Sequence, residues 1–159
     1  MAESIILPEG TKAERYQSLI QQIKSLCDGE TDRIANMANT FSALHYSMNF
    51  FWTGIYEVKN EELVLGVFQG PIACTRIAYG RGVCGTSWKE QKSILVPDVE
   101  VFPGHIACSS ASKSEVVVPI FKNEKVVAVI DVDSDKLNYF DETDQYYLEE
   151  LAQWLSVFF

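Results

Sequence analysis

Two apolar, β-branched runs lie almost end to end late in the chain. They are Glu115-Val116-Val117-Val118-Pro119-Ile120-Phe121 and Lys125-Val126-Val127-Ala128-Val129-Ile130-Asp131-Val132-Asp133, joined only by Lys122-Asn123-Glu124. A connection that short leaves an antiparallel hairpin as the available pairing, because parallel strands need a long crossover. A second aromatic and β-branched run, Phe50 to Val58, turns at Lys59-Asn60-Glu61 into Leu63 to Phe68 and predicts another hairpin. A further strand is expected at Ser93 to Pro97, after a short helical piece around Gly85 to Gln91. Helical spacing brackets these strands. Tyr16, Leu19, Ile20, Ile23, Leu26 and Cys27 form one stripe that stops at Asp28-Gly29, and Cys27 reads as a small core residue on it. Ile34, Met37, Ala38, Phe41 and Leu44 form a second stripe. Tyr147, Leu148, Leu151, Ala152, Leu155 and Phe158 form a third, on a helix capped by Asp141 with Asp144 at its third position. The expected architecture is α+β, with helices covering one face of a mostly antiparallel sheet and a pocket on the other.

A chain of 159 residues is expected to form one domain over 1–159, with residues 1–10 as a loose N-terminal arm. It can bury about two-thirds of its unfolded surface without disulfide or metal staples. No run of eighteen apolar residues exists, so no membrane span is expected. The first residues lack the basic and apolar regions of a signal peptide, which predicts a cytoplasmic protein whose cysteines sit in a reducing environment. A net charge of -9 argues against a nucleic-acid partner, since phosphate backbones call for clustered Lys and Arg.

Between the hairpins lies Gly70 to Ser110, an irregular stretch holding three of the four cysteines and one of the two histidines. Long irregular segments inside compact domains are usually functional. Cys74, Cys84 and Cys108 are too far apart in sequence for a thioredoxin-type or zinc-knuckle pair. Separated thiols can still meet in space, one attacking and a second closing a disulfide with it. Cys108 is the better attacker, because the backbone and hydroxyls of Ser109-Ser110, and His105, could stabilise a thiolate. Cys84, between Val83 and Gly85, suits a partner that must move. Strand alternation places Asp131 and Asp133 on one face, and Glu115 opens the neighbouring strand. Three carboxylates in a concave site would attract an ammonium group, and their crowding would raise a pKa enough to deliver a proton. Trp52 and Tyr56 are expected as pocket walls, with Phe102 or Trp88 as further candidates. Arg76 and Arg81 are candidate anchors for a substrate carboxylate.

The segments Gly70-Pro71-Ile72-Ala73-Cys74-Thr75-Arg76-Ile77, Gly80-Arg81-Gly82-Val83-Cys84-Gly85 and Gly104-His105-Ile106-Ala107-Cys108-Ser109-Ser110-Ala111-Ser112-Lys113-Ser114-Glu115 resemble the free methionine-(R)-sulfoxide reductases, which are stand-alone GAF-domain enzymes. The resemblance runs from about Tyr16 to Phe158. It implies a sheet of about six strands, and reduction of free methionine-(R)-sulfoxide without metal or organic cofactor. It implies Cys108 as nucleophile, Cys84 as main resolving thiol and Cys74 as alternative resolver, with thioredoxin as external reductant. It places Glu115, Asp131 and Asp133 in the substrate pocket, with Trp52 and Tyr56 at the methyl sulfoxide end. Such domains often pair as homodimers through their terminal helices. Two other readings compete: a non-enzymatic GAF sensor of a small molecule or of redox state, and a zinc site built from Cys74, Cys84, His105 and Cys108. The latter lacks paired ligand spacing at Cys74 and Cys84.

Overall fold

The computed structural model describes residues 4–106, 108 and 110–159. Six strands form one antiparallel sheet: β1 (Trp52–Lys59), β2 (Glu62–Gln69), β3 (Arg76–Ala78), β4 (Ile94–Val96), β5 (Ser114–Lys122) and β6 (Lys125–Ser134). Their order across the sheet is β3-β2-β1-β6-β5-β4. Both expected hairpins are present. Each turns through two residues of positive φ, Asn60-Glu61 and Asn123-Glu124, the left-handed geometry that matches the twist of paired strands.

Helices α1 (Lys12–Leu26), α2 (Arg33–Met48) and α4 (Glu142–Leu155) share a core with one face of the sheet, including Ile55, Val116, Val118, Ile130 and Val132. Thr11 caps α1 and Asp141 caps α4, each closing a reciprocal capping box. Asp144, the third residue of α4's box, also accepts from the Tyr16 hydroxyl at 2.8 Å and from Lys12 Nζ at 2.6 Å. A solvation cap thus becomes a buried tie between the first and last helices. Cys27 is buried as expected and contacts the Thr40 hydroxyl at 3.8 Å. The α2 stripe differs from the expected one. Ile34 is exposed, while Asn36 and Thr40 are buried, because the Asn36 amide donates to the Glu30 carbonyl and Thr40 meets Cys27. Residues 4–10 form no helix or strand, and Ile6 exchanges two hydrogen bonds with the Gln22 side chain.

A fourth helix, α3 (Gly82–Glu90), lies on the opposite face. It packs with a second apolar cluster that includes Trp52, Tyr56, Ile77, Val83, Val117 and Val129. The helices therefore cover one face, and this short one roofs the other. Its close seating depends on Gly85, where an added Cβ would lie 2.5 Å from the Ala78 carbonyl oxygen.

Register decides what faces the roof. At the β5–β6 turn Phe121 pairs with Val126, but Ile120 pairs with Ala128, so Val127 is an extra residue in β6. Beyond this bulge Glu115 stands opposite Asp133 and Val117 opposite Asp131. Without it Glu115 would stand opposite Val132, and Asp131 and Asp133 would turn toward the other core, since a one-residue slip exchanges the two faces. On β6's other side, Trp52 pairs with Asp133, Gly54 with Asp131 and Tyr56 with Val129. Every pocket-facing residue of three strands thereby lands on one surface.

Candidate active site

Trp52, Tyr56, Glu115, Asp131 and Asp133 line one cavity, together with Cys84 from α3 and His105, Ile106, Cys108 and Ser112 from the preceding loop. The cavity measures about 40 Å³. Its floor is the sheet, and its roof is α3 and the two cysteine-bearing loops. Phe102 and Trp88 are not among its walls: Phe102 packs into the cluster behind it, and Trp88 meets Tyr79 edge-on. Arg76 is likewise diverted, pairing with Glu62 at 2.9 Å, and Arg81 is exposed at the start of α3. Ser109 lies outside the described residues, and Ser110 is exposed.

The aromatic walls also hold a loop in place. Trp52 Nε1 donates to the Pro71 carbonyl at 3.0 Å, and the Tyr56 hydroxyl donates to the Cys74 carbonyl at 3.1 Å. Trp52 stacks between Phe68, at 5.3 Å, and Tyr56, at 6.0 Å. Gly54, between Trp52 and Tyr56 on β1, leaves room for that stack. A Cβ there would lie 2.5 Å from Phe68 Cβ and 2.6 Å from the Trp52 ring. Gly54→Ala is expected to cost about 1–3 kcal/mol through this overpacking, read as a lower denaturant midpoint at unchanged slope.

The thiols divide along the alternative pairing, with Cys74 rather than Cys84 as the partner of Cys108. Cys74 and Cys108, 34 positions apart in sequence, form a disulfide with a Cα–Cα separation of 5.2 Å. Cys84, expected as the main resolving thiol, is free and buried. The physical reason is placement. Cys74 is carried to Cys108 by the loop that Trp52 and Tyr56 anchor, whereas Cys84 is fixed in the first turn of α3 beneath the roof. There its sulfur lies 4.0 Å from Glu115 Oε1. A helix N-terminus ordinarily favours a thiolate, but burial, then the charges of Asp131 and Glu115, push the Cys84 thiol well above its usual value. It is a neutral group facing acids. The zinc set of Cys74, Cys84, His105 and Cys108 is not assembled, since two of those sulfurs are bonded to each other.

The three carboxyls are pushed up mainly by loss of water. Burial, followed by the charges of Asp131 and Asp133, raises Glu115 well above the carboxylate range. Burial and the Asp131 charge do the same to Asp133, which a hydrogen bond with Ser112 partly offsets. Asp131 rises only to about 6, because hydrogen bonds from Cys84 and Glu115 favour its charged form. Asp131 is therefore the member of the three held nearest its charged form, beside two acids that burial pushes toward their neutral forms. Asp131 Oδ1 is buried without a hydrogen-bond partner among the described residues, an uncompensated acceptor aimed into a ligand cavity. His105 is held neutral by burial. Ser112 was not foreseen as a site residue; the only sequence signal was its proximity to Cys108.

Residues 32–158 match the GAF domain family. The chain is 56% identical over 157 residues to the GAF domain-containing protein A of Dictyostelium discoideum, covering 98% of this chain and 99% of that protein. It is 41% identical over 146 residues to the free methionine-R-sulfoxide reductase of Escherichia coli, covering 91% and 88%. Its backbone superposes with a TM-score of 0.95 on the crystal structure of the Neisseria meningitidis free methionine-R-sulfoxide reductase in complex with its substrate, at 47% identity over 98% of this chain and 95% of that one.

Proposed function

The chain belongs to the GAF-domain family, among its free methionine-R-sulfoxide reductases, and on that footing we propose that it reduces free methionine-(R)-sulfoxide to methionine. The observation that carries the reading is the Cys74–Cys108 disulfide at the rim of a buried acidic cavity. It pairs an attacking thiol with a resolving one beside groups that hold protons.

In this reading Asp131, the ionised member, receives the substrate ammonium, and Trp52 and Tyr56 hold the methyl sulfoxide end. Cys108 thiolate attacks the sulfoxide sulfur while Glu115 or its cross-strand partner Asp133 gives a proton to the oxygen. The S–O bond breaks, methionine leaves, and Cys108 carries the oxygen as a sulfenic acid. Cys74 thiol condenses with it, releasing water and forming the disulfide. A thioredoxin dithiol then reduces that bond by exchange. Two electrons pass from thiols to sulfur, so the cycle needs no prosthetic group. Such a cycle suits a reducing cytoplasm, and no described helix is long and apolar enough to cross a membrane. Pairing of two copies through the terminal helices belongs to the same reading, with exposed Tyr146 of α4 among the apolar groups it would cover.

The test is a single turnover by reduced protein without external reductant. One equivalent of methionine should form from the free R sulfoxide, with loss of two thiols. Peptide mapping should find them joined as Cys74–Cys108, with Cys84 still alkylatable after unfolding. Methionine formation without thiol loss, or thiol loss at Cys84, would overturn the assignment; no turnover of the sulfoxide at all would favour a sensor.

A further inference from the structure

We infer that Cys84, Glu115 and Asp131 form a binding site for one thiophilic divalent cation of the zinc class, and that this site persists in the disulfide form of the protein. One ligand atom from each of the three residues lies within 4.8 Å of the other two, and all three residues are buried. A zinc ion about 2.3 Å from a sulfur and about 2.1 Å from a carboxylate oxygen sets those atoms roughly 3.6 Å apart in tetrahedral geometry. The Cys84–Glu115 separation of 4.0 Å needs only a small side-chain adjustment to meet it.

A second observation points to a ligand at the same place. Asp131 Oδ1 is buried without a partner among the described residues, and Asp131 itself is only 7% exposed. A buried acceptor in that state is stabilised by any cation that reaches it. The cavity of about 40 Å³ has room for an ion and a water completing its coordination. Ligand chemistry selects the ion: binding would displace the protons of Cys84 and Glu115 to solvent, and the resulting thiolate with two carboxylates suits zinc or cadmium, whereas magnesium and calcium take oxygen ligands and keep more water. Because Cys84 takes no part in the Cys74–Cys108 bond, oxidation of the pair does not consume a ligand. An ion there would occupy the space that the proposed reaction needs, making it an inhibitor rather than a cofactor.

The test uses the disulfide form, in which the free thiols are Cys27 and Cys84. Zinc is titrated against a chromophoric chelator, and cadmium is followed by its thiolate charge-transfer absorption. One ion per chain is expected, with the cadmium band present. Cys84→Ala should abolish the band, and Cys84→Ala and Asp131→Asn should each weaken binding at least tenfold, while Cys27→Ala leaves it unchanged. Absence of binding, binding indifferent to both site variants, or a band lost with Cys27→Ala would overturn the proposal. No substrate is present in the measurement, so its failure leaves the reductase reading standing, and a failed turnover assay leaves the cation site standing.

Discussion

Cys108→Ser protein is expected to form no methionine from free methionine-(R)-sulfoxide, even in one turnover with excess chemical reductant. The loss should be on the order of 10³-fold or more, because a serine hydroxyl at neutral pH cannot replace the attacking thiolate. Cys74→Ser should behave differently. It keeps the attacking sulfur and loses only the sulfur bonded to it here, so the first turnover proceeds and the sulfenic acid accumulates. A sulfenic-acid trap followed by mass spectrometry should find the adduct on Cys108. Cys84→Ser should still form the Cys74–Cys108 bond. Normal turnover by Cys108→Ser would mean that the nucleophile has been misassigned.

Asp131→Asn is expected to make the protein more stable and less active at the same time. Asp131 titrates at about 6 in the folded protein against an ordinary value of 3.8. The native state thus binds an extra proton between about pH 4 and pH 6, and stability falls as pH rises through that window. The shift of Glu115 and Asp133 has the same sign. A rise from 3.8 to about 6 corresponds to roughly 3 kcal/mol that ionised Asp131 costs the fold at neutral pH. The amide removes that cost. The variant should therefore melt several degrees higher at pH 7, with the difference shrinking toward pH 4. Its kcat/KM should fall about 10²-fold or more, chiefly through KM, because the charge facing the substrate ammonium is gone. Equal melting temperatures at pH 7 would show that Asp131 is not held charged against its surroundings. Buried charge kept for function at the expense of stability is a familiar compromise.

Much of this arrangement was legible in the chain. Alternation put Asp131 and Asp133 on one face, and the Asn-Glu turns announced both hairpins. The Asp141–Asp144 cap of the last helix was readable because its partners are three residues apart. What escaped depends on contacts distant in sequence. The three residues of β3 pair with Glu62 to Val64 and carry no periodicity of their own. The Cys74–Cys108 pairing depends on hydrogen bonds from Trp52 and Tyr56 that hold the first loop. Neither cysteine's neighbours contain that information. Ile34 looked like core because it is apolar at helical spacing, yet two polar residues with local partners took the buried positions.

The extra residue at Val127 turns the β5–β6 hairpin into a parity device. Between the Asn123-Glu124 turn and the carboxyls, a single residue added to β6 with the bulge retained would set Glu115 opposite Val132 and turn Asp131 and Asp133 toward the aliphatic core. Deleting Val127 would instead close a regular hairpin that still sets Glu115 opposite Asp133. Loop grafts or shortened variants of this hairpin should therefore keep the residue count between the bulge and the carboxyls, whatever their composition.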